Sequence, residues 1–199
     1  NIKLDVTAVE LDPELARMYQ ERFPNDEVII GDAHAYLIHN YQSFDFIWSS
    51  PPCPTHSRAN FWGSKTVDSR KKIYPDMKLY QEILFLDNWY DGKYVVENVI
   101  PYYEPLIQAK KRGRHLYWTN FNLPNSLGDR PYQVGQGKDE VKKLCEFHGI
   151  NVMDYHGNQD RKKIARNLVD YEAGRTIFET FLGITKKENE KQIDLFETL

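Results

Sequence analysis

The stretch "SSPPCPTHS", residues 49–57, holds Cys53 directly behind two prolines and ahead of a third, just after the apolar run "FDFIW". A thiol fixed by proline at the end of a strand can be a packed small hydrophobe, a metal ligand or a nucleophile. With only two cysteines, Cys53 and Cys145, neither a disulfide framework nor a zinc cluster is indicated. Three carboxylates stand in comparable places: Glu10 closes "DVTAVE", Asp32 follows "EVIIG", and Glu97 follows "KYVV". Each residue alone has a plainer reading. Glu10 and Asp32 suit helix caps or turns, Cys53 suits a core, and Glu97 suits a satisfied structural carboxylate. Ligands of an open parallel sheet sit at the carboxyl ends of its strands. Four such residues on one edge point to a site.

To bring those four together the chain must alternate strands with helices. "DVTAVEL" predicts a buried strand, and Asp12-Pro13 a helix start, with Leu15, Met18, Tyr19 and Phe23 at helical spacing. "EVIIGDA" predicts a second strand, "AHAYLIHNY" a short helix and "FDFIWSS" a third strand. A polar stretch over residues 55–74 is long enough for a functional lid. A helix over 75–90, a strand at "KYVVENV" and a fifth at "RHLYWTNF" complete a core over residues 1–121. The expected class is α/β with a mainly parallel sheet. Residues 122–160 break the pattern and read as a small insertion with one short helix over 138–147. A single helix over 161–182, within a returning segment 161–184, precedes a charge-rich tail at 185–199, expected to be flexible.

The 199 residues suffice for one compact domain. No apolar run approaches the roughly 20 residues of a membrane helix, and no secretory signal opens the chain, so a reducing cytosol is expected. The net charge of −3 does not announce a nucleic-acid binder. Basic residues nevertheless cluster after the Pro-Pro-Cys turn (Arg58, Lys65, Arg70, Lys71, Lys72), at Lys110, Lys111, Arg112 and Arg114, and at Arg161, Lys162, Lys163 and Arg166. Separately these are solvated faces; converging, they would neutralise several phosphates.

In these segments the chain resembles the DNA (cytosine-5) methyltransferases. "SSPPCPTHS" is similar to their Pro-Cys catalytic loop, "VVENV" to their Glu-Asn-Val motif, and "KKRGRHLYWTNF" to their Gln-x-Arg-x-Arg segment and following strand. "AVELDPELARMYQERFP" and "IIGDA" resemble the two acid-ended strands, and "RNLVDYEAGRTIFETFLG" the late Asn-x-Val helix start. The resemblance spans residues 6–183 in the family's order.

It implies a Rossmann-like S-adenosylmethionine-dependent methyltransferase fold, with residues 122–160 as a short target-recognition region. It implies a cytoplasmic, prokaryotic or phage-encoded enzyme of DNA methylation, of the kind found in restriction-modification, that needs no metal. Its partner would be double-stranded DNA with the target cytosine flipped out of the stack. Cys53 would add to carbon 6 of cytosine and make carbon 5 nucleophilic. Glu97 would face N3 and the exocyclic amine as a protonated carboxyl, which needs a raised pKa. Arg114, with Arg112, would hold O2 and a phosphate, and Asn98 the loop. Ser57 and Arg58 would meet the substrate. Glu10 would grip the donor's ribose and Asp32 its adenine, with Ser50, Pro52 and Asn167 completing that site. Basic neighbours such as Arg58 or Arg114 would favour the thiolate if the fold brings them close.

The chain departs from the family in four places. The Gly-rich turn after the first strand would precede Asn1, and is expected outside the given sequence or from a separate strand. Pro54 stands where glutamine is common, Lys110 replaces the leading glutamine, and Arg166 replaces a glycine before Asn167. A transfer-RNA cytosine methyltransferase, or a non-catalytic DNA-binding subunit completed by a partner, remain the alternatives; no Cys-Phe-Thr signature favours the first. Amino-group methyltransferases carry an aromatic residue where this chain has Cys53. In the tail, "QIDLF" resembles the peptide by which bacterial proteins dock on the sliding clamp, through Gln192, Leu195 and Phe196.

Overall fold

The computed structural model describes residues 4–58, 74–128 and 139–184. Residues 59–73 of the expected lid, and the tail with Gln192, Leu195 and Phe196, thus lie outside the described residues.

Strand β1 (Thr7–Glu10) lies parallel to β2 (Glu27–Ile30), in a register that pairs Glu10 with Ile30. Helix α1 (Pro13–Arg22) connects them. It starts where the sequence predicts: Asp12 accepts from the Glu14 and Leu15 amides, and Pro13 sits where no amide is needed. Helix α2 (Ala33–Asn40) follows β2, capped by Asp32 through the Ala35 amide at 3.0 Å. A 3-10 turn at Tyr41–Ser43 leads into β3 (Phe46–Ser49). Helix α3 (Lys78–Trp89) then crosses to β4 (Lys93–Val99), which runs parallel to β3.

Beyond β4 the sheet is antiparallel, which corrects the expectation of a mainly parallel one. Strands β5 (Lys110–Arg112) and β6 (His115–Thr119) form a tight hairpin, and β6 pairs antiparallel with β4. The two-residue turn requires a left-handed backbone, which Gly113 supplies at φ 54°. "KKRGRHL" is therefore a hairpin rather than the approach to a single strand. The order of this sheet is β3-β4-β6-β5, and β1-β2 form a separate sheet.

The first strand was expected to be buried, yet every residue of Thr7–Glu10 is only half-covered. One edge of β1 pairs with β2, and the other has no strand beside it among the described residues. Nor do the flanking helices compensate, since α1 fully buries only Ala16 and α2 no residue. The better-filled core lies around the four-stranded sheet. Ile83 and Leu86 of α3 pack in one cluster with Ile47, Val96 and Trp118 of the sheet. On the opposite face, Ile177 of the last helix joins Val95, Tyr117 and Leu123.

Two further expectations change. The predicted 161–182 helix is two: α5 (Arg161–Asn167) and α6 (Tyr171–Phe181). Leu168 turns extended, and Asp170 caps α6 by accepting from the Glu172 and Ala173 amides. The short helix α4 (Glu140–His148) stops at Gly149, whose φ of 61° ends it in the left-handed region.

Candidate active site

Glu10 and Asp32 stand at the carboxyl ends of neighbouring parallel strands. Glu10 takes the Asp12 amide on Oε1 at 2.9 Å. Asp32 is exposed, and the Ala35 amide at its cap holds its carboxyl below the usual range, with Lys78 adding at 3.6 Å. Each carboxylate retains acceptor capacity, the chemistry a ribose diol and an adenine amine require, so the pair fits an adenosyl group.

This half is fastened to the four-stranded sheet by side chains. Glu82 of α3, 5% exposed, accepts Ser49 Oγ at 2.6 Å and meets His34 Nδ1 at 2.9 Å. On another side, Gln159 Nε2 donates to Asp12 and the Asn158 amide to Glu14.

The Cys53 turn is held in three ways. Asn98 Nδ2 donates to the Pro51 carbonyl at 2.9 Å, tying the turn to β4. The Cys53 carbonyl accepts the His56 and Ser57 amides, both at 3.0 Å. His56 is 1% exposed, with Nδ1 2.5 Å from Tyr103 Oη and, among the described residues, no partner for Nε2. A bridge between Ser57 and Pro101, and Arg58 Nε on the Pro101 carbonyl at 3.2 Å, fix the exit.

Glu97 faces the same region from β4. Ser50 Oγ donates to its Oε2 at 2.9 Å, and His115 Nε2 lies 3.3 Å from Oε1. Trp48 Nε1 in turn donates to Ser50 Oγ at 2.9 Å. Cys53 is half-buried. Burial, and next the charge of Glu97, push its thiol above the ordinary range. The expected help from Arg58 or Arg114 is not among the influences on the thiol. Its strongest charged neighbour is an acid.

Several sequence-nominated residues turn inward. Arg112 donates to the Lys111, Leu123 and Pro124 carbonyls. Lys110, where the family has glutamine, donates to the Thr119 and Phe121 carbonyls and to Thr119 Oγ1, capping the end of β6. Arg166 forms two 2.8 Å bonds to Glu140, a 4% exposed residue of α4 that Lys162 also approaches at 3.3 Å. Its replacement of glycine is thereby matched by an acid from the insertion. Arg114 and Pro52 are exposed, and Asn167 is exposed at the end of α5. The second and third basic clusters thus largely serve internal contacts, and most of the first lies outside the described residues.

Sequence reasoning missed Glu82, His56 and His115. His115 was legible: strand alternation from Tyr117 puts it on the face that carries Glu97. Among the described residues, no group of three or more His, Cys, Asp or Glu is placed to hold a metal, and no helix is long and apolar enough to cross a membrane.

Residues 4–100, which include all four strand-end residues, match the C-5 cytosine-specific DNA methylase family. No curated protein sequence matches the chain. Among solved structures, a methyltransferase of Entamoeba histolytica, EhMeth, aligns over 94% of this chain and 92% of that one. At 10% identity and a TM-score of 0.53, this likeness concerns the fold, that of an S-adenosylmethionine-dependent methyltransferase.

Proposed function

On the premise that the chain carries a C-5 cytosine-specific DNA methylase domain over residues 4–100, we propose that it methylates carbon 5 of cytosine in double-stranded DNA through a covalent adduct on Cys53. The observation that carries this reading is that the turn bearing Cys53 is tied to the strand bearing Glu97, by Asn98 on the Pro51 carbonyl and by Ser50 on Glu97, each at 2.9 Å, and these are two groups that must act on opposite parts of one pyrimidine ring.

The target base leaves the helix to reach the thiol, because its reacting atoms are stacked in duplex DNA. The Cys53 sulfur bonds to carbon 6, and the electron pair of the C5–C6 double bond becomes available at carbon 5. Glu97 gives a proton to N3 as charge develops on the ring, and Ser50 and Asn98 hold the two loops in register. Bound S-adenosylmethionine supplies an electrophilic methyl group; Glu10 and Asp32 grip its ribose and adenine, beside Ser50, Pro52 and Asn167. Loss of the carbon 5 proton then expels the thiolate, a competent leaving group. Arg114 and Arg58 meet phosphate or the base's O2, and residues 122–160 read the sequence.

The test is to incubate the chain with labelled donor and DNA containing 5-fluorocytosine, where fluorine blocks the final elimination. A covalent complex that disappears in Cys53→Ser, while donor binding survives, supports the reading. Trapping on transfer RNA but not DNA would move the activity to RNA. A second reading is a non-catalytic DNA-binding subunit completed by a partner; among the described residues β1 and β3 each keep one edge with no strand beside it, where a partner's strand would fit. Donor binding without trapping, cured by adding that partner, would select it. Clamp docking through Gln192, Leu195 and Phe196 rests on the sequence; unchanged clamp affinity on replacing Leu195 and Phe196 by Ala removes it.

A further inference from the structure

His115 touches the proposed proton donor and has no task in the scheme above. It pairs with Val99 on β4 and with Arg112 on β5. With a strand period of two, His115, Tyr117, Val99 and Glu97 share one face, and a diagonal cross-strand neighbour lies within reach of an imidazole. The contact is made: Nε2 is 3.3 Å from Glu97 Oε1, with the histidine side chain 26% exposed and the glutamate 15%. Glu97's other oxygen already accepts from the neutral Ser50 hydroxyl. The second partner is therefore the one that can change charge near neutral pH.

We infer that His115 is a positioning residue that stores, and passes to Glu97, the proton delivered to the pyrimidine ring. The inference rests on the methyltransferase reading. As sulfur bonds to carbon 6, the proton of the imidazolium passes through the Glu97 carboxylate to N3, leaving a neutral imidazole beside an ionised Glu97. When sulfur leaves, N3 returns the proton through Glu97 to the imidazole, so none is consumed. The stored proton also offsets the Glu97 charge that opposes thiolate formation at Cys53. Among the described residues, the charged groups near the imidazole include Glu97 from β4, Arg112 from β5 and the adjoining Arg114, with Cys53 beyond Glu97. Arg112 is turned to the Leu123 and Pro124 carbonyls, and Glu97 is an opposite charge in direct contact with the ring.

The first measurement needs no turnover. The His115 ring signal, identified by its loss in His115→Gln, is titrated by NMR in the whole protein and in Glu97→Gln. Its midpoint is expected to fall by roughly one pH unit without the carboxylate; an unmoved midpoint overturns the inference. Iodoacetamide alkylation of Cys53, read on its own peptide, should slow several-fold near pH 7 in His115→Gln. The trapping assay reads the ring step. His115→Gln should trap roughly tenfold more slowly and lose the wild-type decline with rising pH, and a variant keeping the wild-type pH profile refutes it. A wild type that never traps removes the methyltransferase reading and the ring step together, whereas a fixed NMR midpoint removes the His115 inference alone.

Discussion

Replacing Asn98 with alanine should weaken both the domain and the nucleophile's position. Asn98 is 2% exposed; its Nδ2 donates to the Pro51 carbonyl and its Oδ1 accepts the Val99 amide, each at 2.9 Å. Alanine removes both partners where water scarcely enters. A buried group left unpaired costs roughly 1–3 kcal/mol, so two such groups, each able to relax in part, give a loss of about 3 kcal/mol. With a denaturant slope of about 2 kcal/mol/M, the urea midpoint should fall by about 1.5 M. Pro51 lies two residues before Cys53, and a displacement of about 1 Å at a reacting atom can slow a reaction about 100-fold. Urea unfolding followed by tryptophan fluorescence, and single-turnover trapping on 5-fluorocytosine DNA, read the two effects separately. Asn98→Asp keeps the acceptor for Val99 but sets a buried carboxylate against the Pro51 carbonyl, and should lower the midpoint at least as far as alanine does. A midpoint shift below about 0.3 M with an unchanged trapping rate would show that this side chain does not hold the turn.

Arg166→Ala takes two 2.8 Å bonds from the buried Glu140; because Arg166 itself is partly exposed, a loss of about 2 kcal/mol is expected, seen as faster amide exchange across α4, and exchange identical to wild type would contradict it. Burial holds His56 below the usual histidine range, so the unfolded chain takes up its proton first. Stability linked to His56 is therefore complete above about pH 6.5 and declines as pH falls below it. The urea midpoint of His56→Phe should decline less than that of wild type between about pH 6.5 and 5, and parallel declines would rule this out.

Local chemistry is what the sequence made readable. Asp12-Pro13 announced α1 because a cap and a fixed φ act within one turn, and "KYVVENV" announced β4 because its apolar run has no polar interruption. The grouping of Cys53 with Glu97 followed from strand ends alone. What escaped depends on partners distant in the chain. Arg112 and Lys110 looked like substrate contacts, since nothing local says that the Leu123, Pro124 and Phe121 carbonyls would take their protons. Arg166 looked anomalous until Glu140, 26 residues earlier, met it. The long last helix failed at Asp170, whose capping of α6 outcompeted continuity across Leu168. The thiol's environment was misjudged because Arg58, the nearest described basic residue in sequence, turns its Nε to the Pro101 carbonyl.

Among the described residues no backbone ladder crosses from β1 to β3, and side chains join the half bearing Glu10 and Asp32 to the half bearing Cys53: Glu82 with Ser49 and His34, Lys78 with Asp32, Asp12 and Glu14 with residues 158–159, and Leu37 and Tyr41 against the core of the larger sheet. Glu82 is the buried hub of that border, since one carboxylate takes Ser49 of β3 on one oxygen and His34 of α2 on the other. Loss of that single group would let the strand ends on either side of it drift out of register.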